Sequence, residues 1–214
     1  MRLLCVFACL ALFGCSKQFN NAEELMSWTF KGGCGTAEKI YGPYKLNAVI
    51  AGPEYCLARQ YINLKKANID DAMIKARMKT IEGYYANKFM VFLEVSFQES
   101  DPKQPQLNPF NALLCRSNNR ISVVANNTLS LEENTALVHK GDKFIPLECT
   151  LERTFESSPK NVFTMVFQGN VPAGENLLLV DKLLDINERV EIALSASRTK
   201  VVLSNELKRE MGIL

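Results

Sequence analysis

The chain has 214 residues, of which 47% are hydrophobic and 22% are charged, values typical of one folded soluble domain. Its formal net charge is only +2. The composition therefore gives no electrostatic argument for binding nucleic acid or for a polybasic grip on a membrane.

The first 14 residues predict an export signal. Arg2 precedes an unbroken apolar run from Leu3 to Phe13, and Gly14 is the small residue before the expected cleavage point. The run is too short to span a membrane, which takes about 20 apolar residues. Residues 1–14 are therefore predicted to be a signal peptide.

Residues 12–15, Leu-Phe-Gly-Cys, resemble the lipobox of bacterial lipoproteins. The resemblance implies cleavage before Cys15, attachment of diacylglycerol to its sulfur and acylation of its new amino group. Ser16 stands where enteric lipoproteins of the inner membrane carry Asp, which implies the outer membrane of the cell envelope. The alternative is an ordinary signal peptide in which Cys15 is incidental.

The segments after the signal predict a tether and a small extension. Residues 15–21 are polar after Cys15 and are expected to form a lipidated tether. Residues 22–86 are expected to form an N-terminal extension with one clear helix at 68–82. A shorter helix is a candidate at 21–28.

The helix at 68–82 has recognisable ends. Asn68 suits the N-cap, and Gly83 can close the C-terminus in a left-handed conformation. The apolar stripe is expected to consist of Ile69, Met73, Ala76 and Thr80.

From residue 87 the apolar residues change from helical spacing to alternation, which predicts strands. The clearest strand is expected at residues 89–97. Further strands are expected near residue 113 and at 121–125, 144–155, 162–168, 177–180, 190–195 and 201–203. In the segment 144–155, Ile145 and Leu147 are expected to face one side with Cys149, while Glu148 and Glu152 face the other.

Several short strands with frequent turns predict a mainly β fold, an antiparallel β-sandwich over residues 87–205 with a C-terminal tail at 206–214. Residues 88–194 also resemble the immunoglobulin-like domain of secreted bacterial lipoproteins of the DUF4352 type. The resemblance rests on the strand at 88–97, on Phe110 to Leu113 and on the segment from Val162 to Val180. It implies an immunoglobulin-like fold and a surface location, and no catalytic residue.

The chain has seven cysteines, of which Cys5 and Cys9 lie in the signal peptide. Cys15 is the predicted lipidation site. The remaining four, Cys34, Cys56, Cys115 and Cys149, are disulfide candidates in an oxidising compartment. Pairing within each half of the chain, Cys34 with Cys56 and Cys115 with Cys149, is favoured over the two other connectivities. Four buried thiols are the alternative.

Candidate chemistry is sparse. His139 is the single histidine, and no nucleophile turn accompanies it. One histidine with scattered carboxylates gives no zinc-ligand spacing. Cys34 could be a reactive thiol, but it lacks a C-x-x-C partner. The sequence therefore predicts neither an enzyme nor a cofactor or metal site.

The function expected from these features is a lipid-anchored envelope protein that binds an envelope or host macromolecule without catalysis. The membrane is expected to be reached through N-terminal acyl chains, and the partner is expected to be a protein, not nucleic acid. The alternative is a carrier of a small apolar molecule or lipid, because Met90 and Phe92 make the strand at 89–97 apolar on both faces.

Overall fold

The computed structural model describes residues 16–99, 108–116, 131–152, 158–186 and 188–214. The strands in these ranges are β1 (Ser16–Phe19), β2 (Thr36–Tyr41), β3 (Tyr44–Ala51), β4 (Lys88–Phe97), β5 (Thr135–His139), β6 (Asp142–Phe144), β7 (Glu148–Glu152), β8 (Lys160–Gln168), β9 (Gly174–Val180), β10 (Val190–Ala196) and β11 (Lys200–Leu203). The helices are α1 (Ala22–Trp28), α2 (Pro53–Lys66), α3 (Asp71–Tyr85), α4 (Pro109–Arg116), α5 (Leu131–Asn134) and α6 (Asn205–Met211). A π-helical turn, Thr29–Gly33, extends α1.

The strands form two antiparallel sheets and one short parallel pair. The five-stranded sheet has the order β2-β3-β4-β8-β7, and the four-stranded sheet has the order β10-β9-β5-β6. The parallel pair joins β1 to β11. The first and last described segments of the chain are thereby held together.

One hydrophobic cluster receives side chains from both antiparallel sheets. In β4, Phe89, Val91, Leu93 and Val95 share one face because successive side chains of a strand point to opposite sides, and all four are fully buried. They pack with Phe163 and other residues of β8, and with apolar residues of β9 and β10. The inner face of the five-stranded sheet is therefore apolar along the whole length of β4.

Helix α2 covers part of the opposite, outer face of this sheet. It starts at Pro53, whose fixed φ and missing N–H suit the first turn of a helix. Its residues Tyr55 and Cys56 pack against Met90 and Phe92 of β4. Both faces of β4 are consequently buried at these positions.

A third cluster joins the N-terminal strand to the helices. Phe19 of β1 and Met78 of α3 are fully buried there together with Met211 of α6. The predicted tether at residues 15–21 is therefore wrong from residue 16 onward. Residues 16–19 pair with β11, and Asn21 caps α1 by accepting hydrogen bonds from the Glu23 and Glu24 amides.

The extension at 22–86 contains more helix than predicted. The short helix at 21–28 is found as α1, but α2 was not predicted. Strands β2 and β3 also lie in this range, and β3 pairs with β4 of the predicted sandwich range 87–205. The domain boundary predicted at residue 86 therefore divides one sheet, since β3 lies before it and β4 lies after it.

Helix α3 is displaced toward the C-terminus from the predicted 68–82. Asp70 is its N-cap, accepting a hydrogen bond from the Met73 amide, and Gly83 lies inside the helix. The buried residues of the helix are Ile74 and Met78, which are 1% and 0% exposed, while Met73 is 48% exposed. The predicted stripe, which included Met73, therefore lay on the wrong face of the helix.

The strand at 89–97 is confirmed as β4, and the strands predicted at 162–168, 177–180, 190–195 and 201–203 are confirmed as β8 to β11. The segment near residue 113 is helix α4, and residues 121–125 lie outside the described ranges. The predicted strand 144–155 is divided, because β6 ends at Phe144 and β7 begins at Glu148. Ile145 and Leu147, expected inside, are 50% and 52% exposed.

The predicted mainly β, antiparallel architecture is confirmed, with more helix than expected. The predicted C-terminal tail contains helix α6, which Ser204 caps by accepting a hydrogen bond from the Leu207 amide. The sandwich arrangement and its immunoglobulin-like form stay predictions.

Candidate functional site

A polar cleft lies on the outer face of the five-stranded sheet, beside α2. The strand register places Val49, Phe92, Thr164 and Thr150 in one row across β3, β4, β8 and β7. Helix α2 covers the apolar end of this row, and the row becomes polar toward β7. The cleft occupies about 350 Å³ at that end.

Arg59 and Glu152 form the centre of the cleft. Arg59 Nη2 of α2 lies 2.6 Å from Glu152 Oε2 of β7, and the two side chains are 25% and 26% exposed. The other carboxylate oxygen, Oε1, accepts a hydrogen bond of 2.7 Å from the Thr164 hydroxyl. Both oxygens of Glu152 are therefore fixed, by a helix on one side and by the adjacent strand on the other.

The guanidinium of Arg59 also lies against an aromatic ring. Its Cζ is 5.3 Å from the centroid of Phe92, a distance suited to a cation–π contact. Burial lowers the pKa of Arg59, but the hydrogen bond and charge of Glu152 outweigh burial and raise that pKa above its ordinary value. The arginine is thus a permanent cation held in one orientation.

Neutral and acidic groups complete the lining. Gln60 and Asn63 come from α2, and Tyr85 comes from the end of α3. Gln60 hydrogen-bonds to Tyr85, while burial is the main cause that raises the tyrosine pKa. Thr150 and Glu148 of β7 face them across the cleft. The two carboxylates and one guanidinium give the lining a formal charge of −1.

The rim near Glu148 is also ordered by contacts. Burial and a hydrogen bond to Glu148 raise the pKa of Tyr84 to about 12, so this phenol stays protonated at neutral pH. Lys88 Nζ lies 3.5 Å from the centroid of the Tyr84 ring. Tyr84 is 42% exposed and offers an aromatic surface beside the cleft.

The four disulfide candidates are free thiols in this structure, and no two of them lie at disulfide distance. The predicted Cys34–Cys56 and Cys115–Cys149 bridges are therefore not formed. Cys115 is exposed on α4, whereas Cys149 faces the core between the sheets. Cys34 follows the π-helical turn, and the Cys56 thiol donates to the Gly52 carbonyl at 3.4 Å within α2.

The buried thiols are held in the protonated form. Burial raises the pKa of Cys34 and of Cys56, and it raises that of Cys149 to about 12. Cys56 lines the cleft, but the residue as a whole is only 1% exposed. A thiol of raised pKa is a poor nucleophile at neutral pH, which disfavours the reactive role considered for Cys34.

The remaining candidate residues lie apart from the cleft or outside the described ranges. Cys15 lies outside the described residues. His139 is on β5, where Nδ1 is 3.0 Å from the Glu175 carbonyl. Within the described ranges, no three His, Cys, Asp or Glu side chains are grouped to hold a metal ion, and no helix is long and apolar enough to cross a membrane.

Comparisons with known proteins give no relative for this chain. No family model matches it, and neither a curated protein nor a solved structure is significantly similar.

Sequence reasoning found one side of the cleft and missed the other. The alternation in 144–155 placed Glu148 and Glu152 on a common polar face, which the structure confirms for β7. Arg59 was not singled out, because α2 was not recognised as a helix. An arginine among buried residues in a helical segment was the signal that could have identified it.

Proposed function

We propose that this protein is a lipid-anchored component of the cell envelope that binds a protein partner in the cleft around Arg59 and Glu152, without catalysis. The observation that carries the proposal is the fixed Arg59–Glu152–Thr164 contact beside the exposed side chains of Asn63 and Thr150. Such preorganised polar groups in a cleft reduce the ordering cost of binding.

The charge of the cleft favours a particular kind of partner segment. Two carboxylates against one guanidinium disfavour phosphate-rich ligands and favour a neutral or basic polypeptide. Asn63 and Thr150 are exposed and can exchange hydrogen bonds with such a segment. The exposed ring of Tyr84 at the rim supplies apolar contact area with little loss of side-chain entropy.

The carrier alternative had rested on the apolar outer face of β4. Met90 and Phe92 are packed beneath α2, with the ring centroids of Phe92 and Tyr55 5.2 Å apart. Helix packing therefore accounts for that pattern, and we favour the binding module.

The binding part of the proposal is tested with a photo-crosslinking amino acid placed at Asn63 or Thr150 in cells of the native host. We expect an adduct with the same protein from both positions, and its loss when Glu148 and Glu152 are both replaced by Lys. The matched control is the crosslinker at Lys143, an exposed residue of β6 in the other sheet. Equal adducts from Lys143, or none from the cleft positions, would contradict the proposal.

The anchoring part is tested by intact mass of the protein recovered from membranes. We expect a chain that starts at Cys15 and carries acyl chains, and a Cys15→Ser variant that leaves the membrane fraction. An unmodified chain in the soluble fraction would overturn the anchoring.

A further inference from the structure

We infer that the face around the start of β1 lies directly against the phosphate headgroups of the leaflet that holds the Cys15 acyl chains. This inference rests on the proposed lipid anchoring. Its basis is that Ser16, the residue next to Cys15, is already the first residue of a paired strand.

The chain leaves little distance between anchor and domain. Consecutive Cα atoms are about 3.8 Å apart, so Cys15 lies within one residue of β1. Ser16 pairs with Lys200 of β11, and paired strands lie about 4.8 Å apart. The strand cannot peel away freely, because Phe19 is fully buried. An acyl group on Cys15 would therefore bring Lys200 close to the membrane surface.

Four cations surround this end of the molecule. Lys200 and Arg198 are exposed at the start of β11, and Lys17 is the second residue of β1. Lys31 is exposed in the π-helical turn, and the Cys34 carbonyl that follows this turn accepts a hydrogen bond of 2.7 Å from the Ser197 amide. That bond holds the turn beside the segment that carries Arg198.

Two carboxylates, Glu54 and Glu82, line the same pocket as Lys200. Burial raises the pKa of Glu54. The four cations outnumber these two carboxylates, so the formal charge of the face is positive although the complete chain is nearly neutral. Lipid anchors hold more firmly when a basic surface adds attraction to anionic headgroups, so the position of these cations complements the anchor.

The inference is tested by lysine acetylation of the acylated protein, purified from membranes and reconstituted into vesicles containing phosphatidylglycerol. We expect Lys31 and Lys200 to be acetylated several-fold more slowly than in detergent. Lys143 and Lys79 are matched exposed controls on β6 and α3, and their rates should not change. Lys143 is suitable because β6 is the strand of its sheet farthest from β10, which leads to Arg198.

A charge-reversal variant tests whether the protection of Lys31 from acetylation depends on attraction between these cations and the headgroups. Arg198→Glu with Lys200→Glu should restore much of the acetylation of Lys31, while Lys79→Glu with Lys143→Glu should leave its protection unchanged. Both pairs are exposed, and circular dichroism verifies that each variant is folded. An acylated protein whose Lys31 and Lys200 react as fast as the controls would overturn the inference while leaving the anchoring intact. A protein without acyl chains would instead refute the anchoring itself.

Discussion

The two faces of β4 differ in what covers them. The inner face is apolar at every position and lies against the second sheet, whereas the outer face is apolar only beneath α2. Beyond the helix it carries Glu94, which accepts a hydrogen bond of 2.5 Å from Lys160. The comparison teaches that the cleft exists because a helix covers less area than a sheet, and the uncovered positions are polar.

The largest loss of stability is expected from a substitution on the inner face of β4. Phe89→Ala should lower the free energy of unfolding by about 3–5 kcal/mol, because it leaves a cavity between the two sheets. Phe30→Ala is the outer-face counterpart, since Phe30 is half-buried beside Phe92, and its cost should be clearly smaller. Urea unfolding measures both. Equal losses would show that the two faces are packed alike.

A matched pair of methionines sharpens the assignment of the buried stripe of α3. Met78→Ala should cost about 2–5 kcal/mol, whereas Met73→Ala should change stability by about 0.5 kcal/mol or less. Both substitutions remove the same atoms from the same helix, so helix propensity largely cancels. A larger loss at Met73 would restore the stripe predicted from the sequence.

These first comparisons show how far the sequence could lead. Alternation predicted β4 and the polar side of β7, because a strand has a period of two residues whatever its neighbours. The stripe of α3 was misplaced because Met73 and Met78 are equally apolar, and packing against α2 and α6 decides which one is buried. Arg59 was missed because Glu152, its partner, is distant along the chain.

The ion pair of the cleft should be coupled more strongly than a surface pair. A double-mutant cycle with Arg59→Ala and Glu152→Ala should give a coupling of about 1–2 kcal/mol, since both groups are mostly shielded from water. The control cycle uses Lys45 and Glu38, which lie 2.8 Å apart but are 45% and 55% exposed. Its coupling should be about 0.5 kcal/mol or less. Equal couplings would contradict the view that the cleft fixes Arg59.

Glu54 should give a smaller, pH-dependent effect. Because burial raises its pKa above 4.5, the folded state binds the proton more tightly than the unfolded chain. Its contribution to stability is therefore complete below the ordinary pKa and is lost as the pH rises through the raised value. Glu54→Gln should gain stability relative to the natural chain as the pH rises above 4.5, which urea midpoints at a series of pH values would measure. A constant difference would argue that Glu54 is solvated.

Chemical labelling of the cysteines tests which of them are buried, and it needs no substitution that would change stability. In the native protein, iodoacetamide should label Cys115 rapidly and leave Cys34, Cys56 and Cys149 unlabelled, as read from peptide masses. Denaturant without reductant should expose all three to labelling. If they stayed unlabelled under those conditions, they would be bridged, and the structure's free thiols would be wrong.

The sequence by itself determined the elements whose pattern is local. The alternation of β4 and the short helix that begins after Asn21 are written in neighbouring residues. Tertiary structure decided what those elements meet. It placed β1 against β11, so that residues 16–19 are a strand and not a tether, and it placed α2 over part of the outer face of the five-stranded sheet. The physical reason is that burial depends on contacts between segments distant in sequence, which no local pattern records.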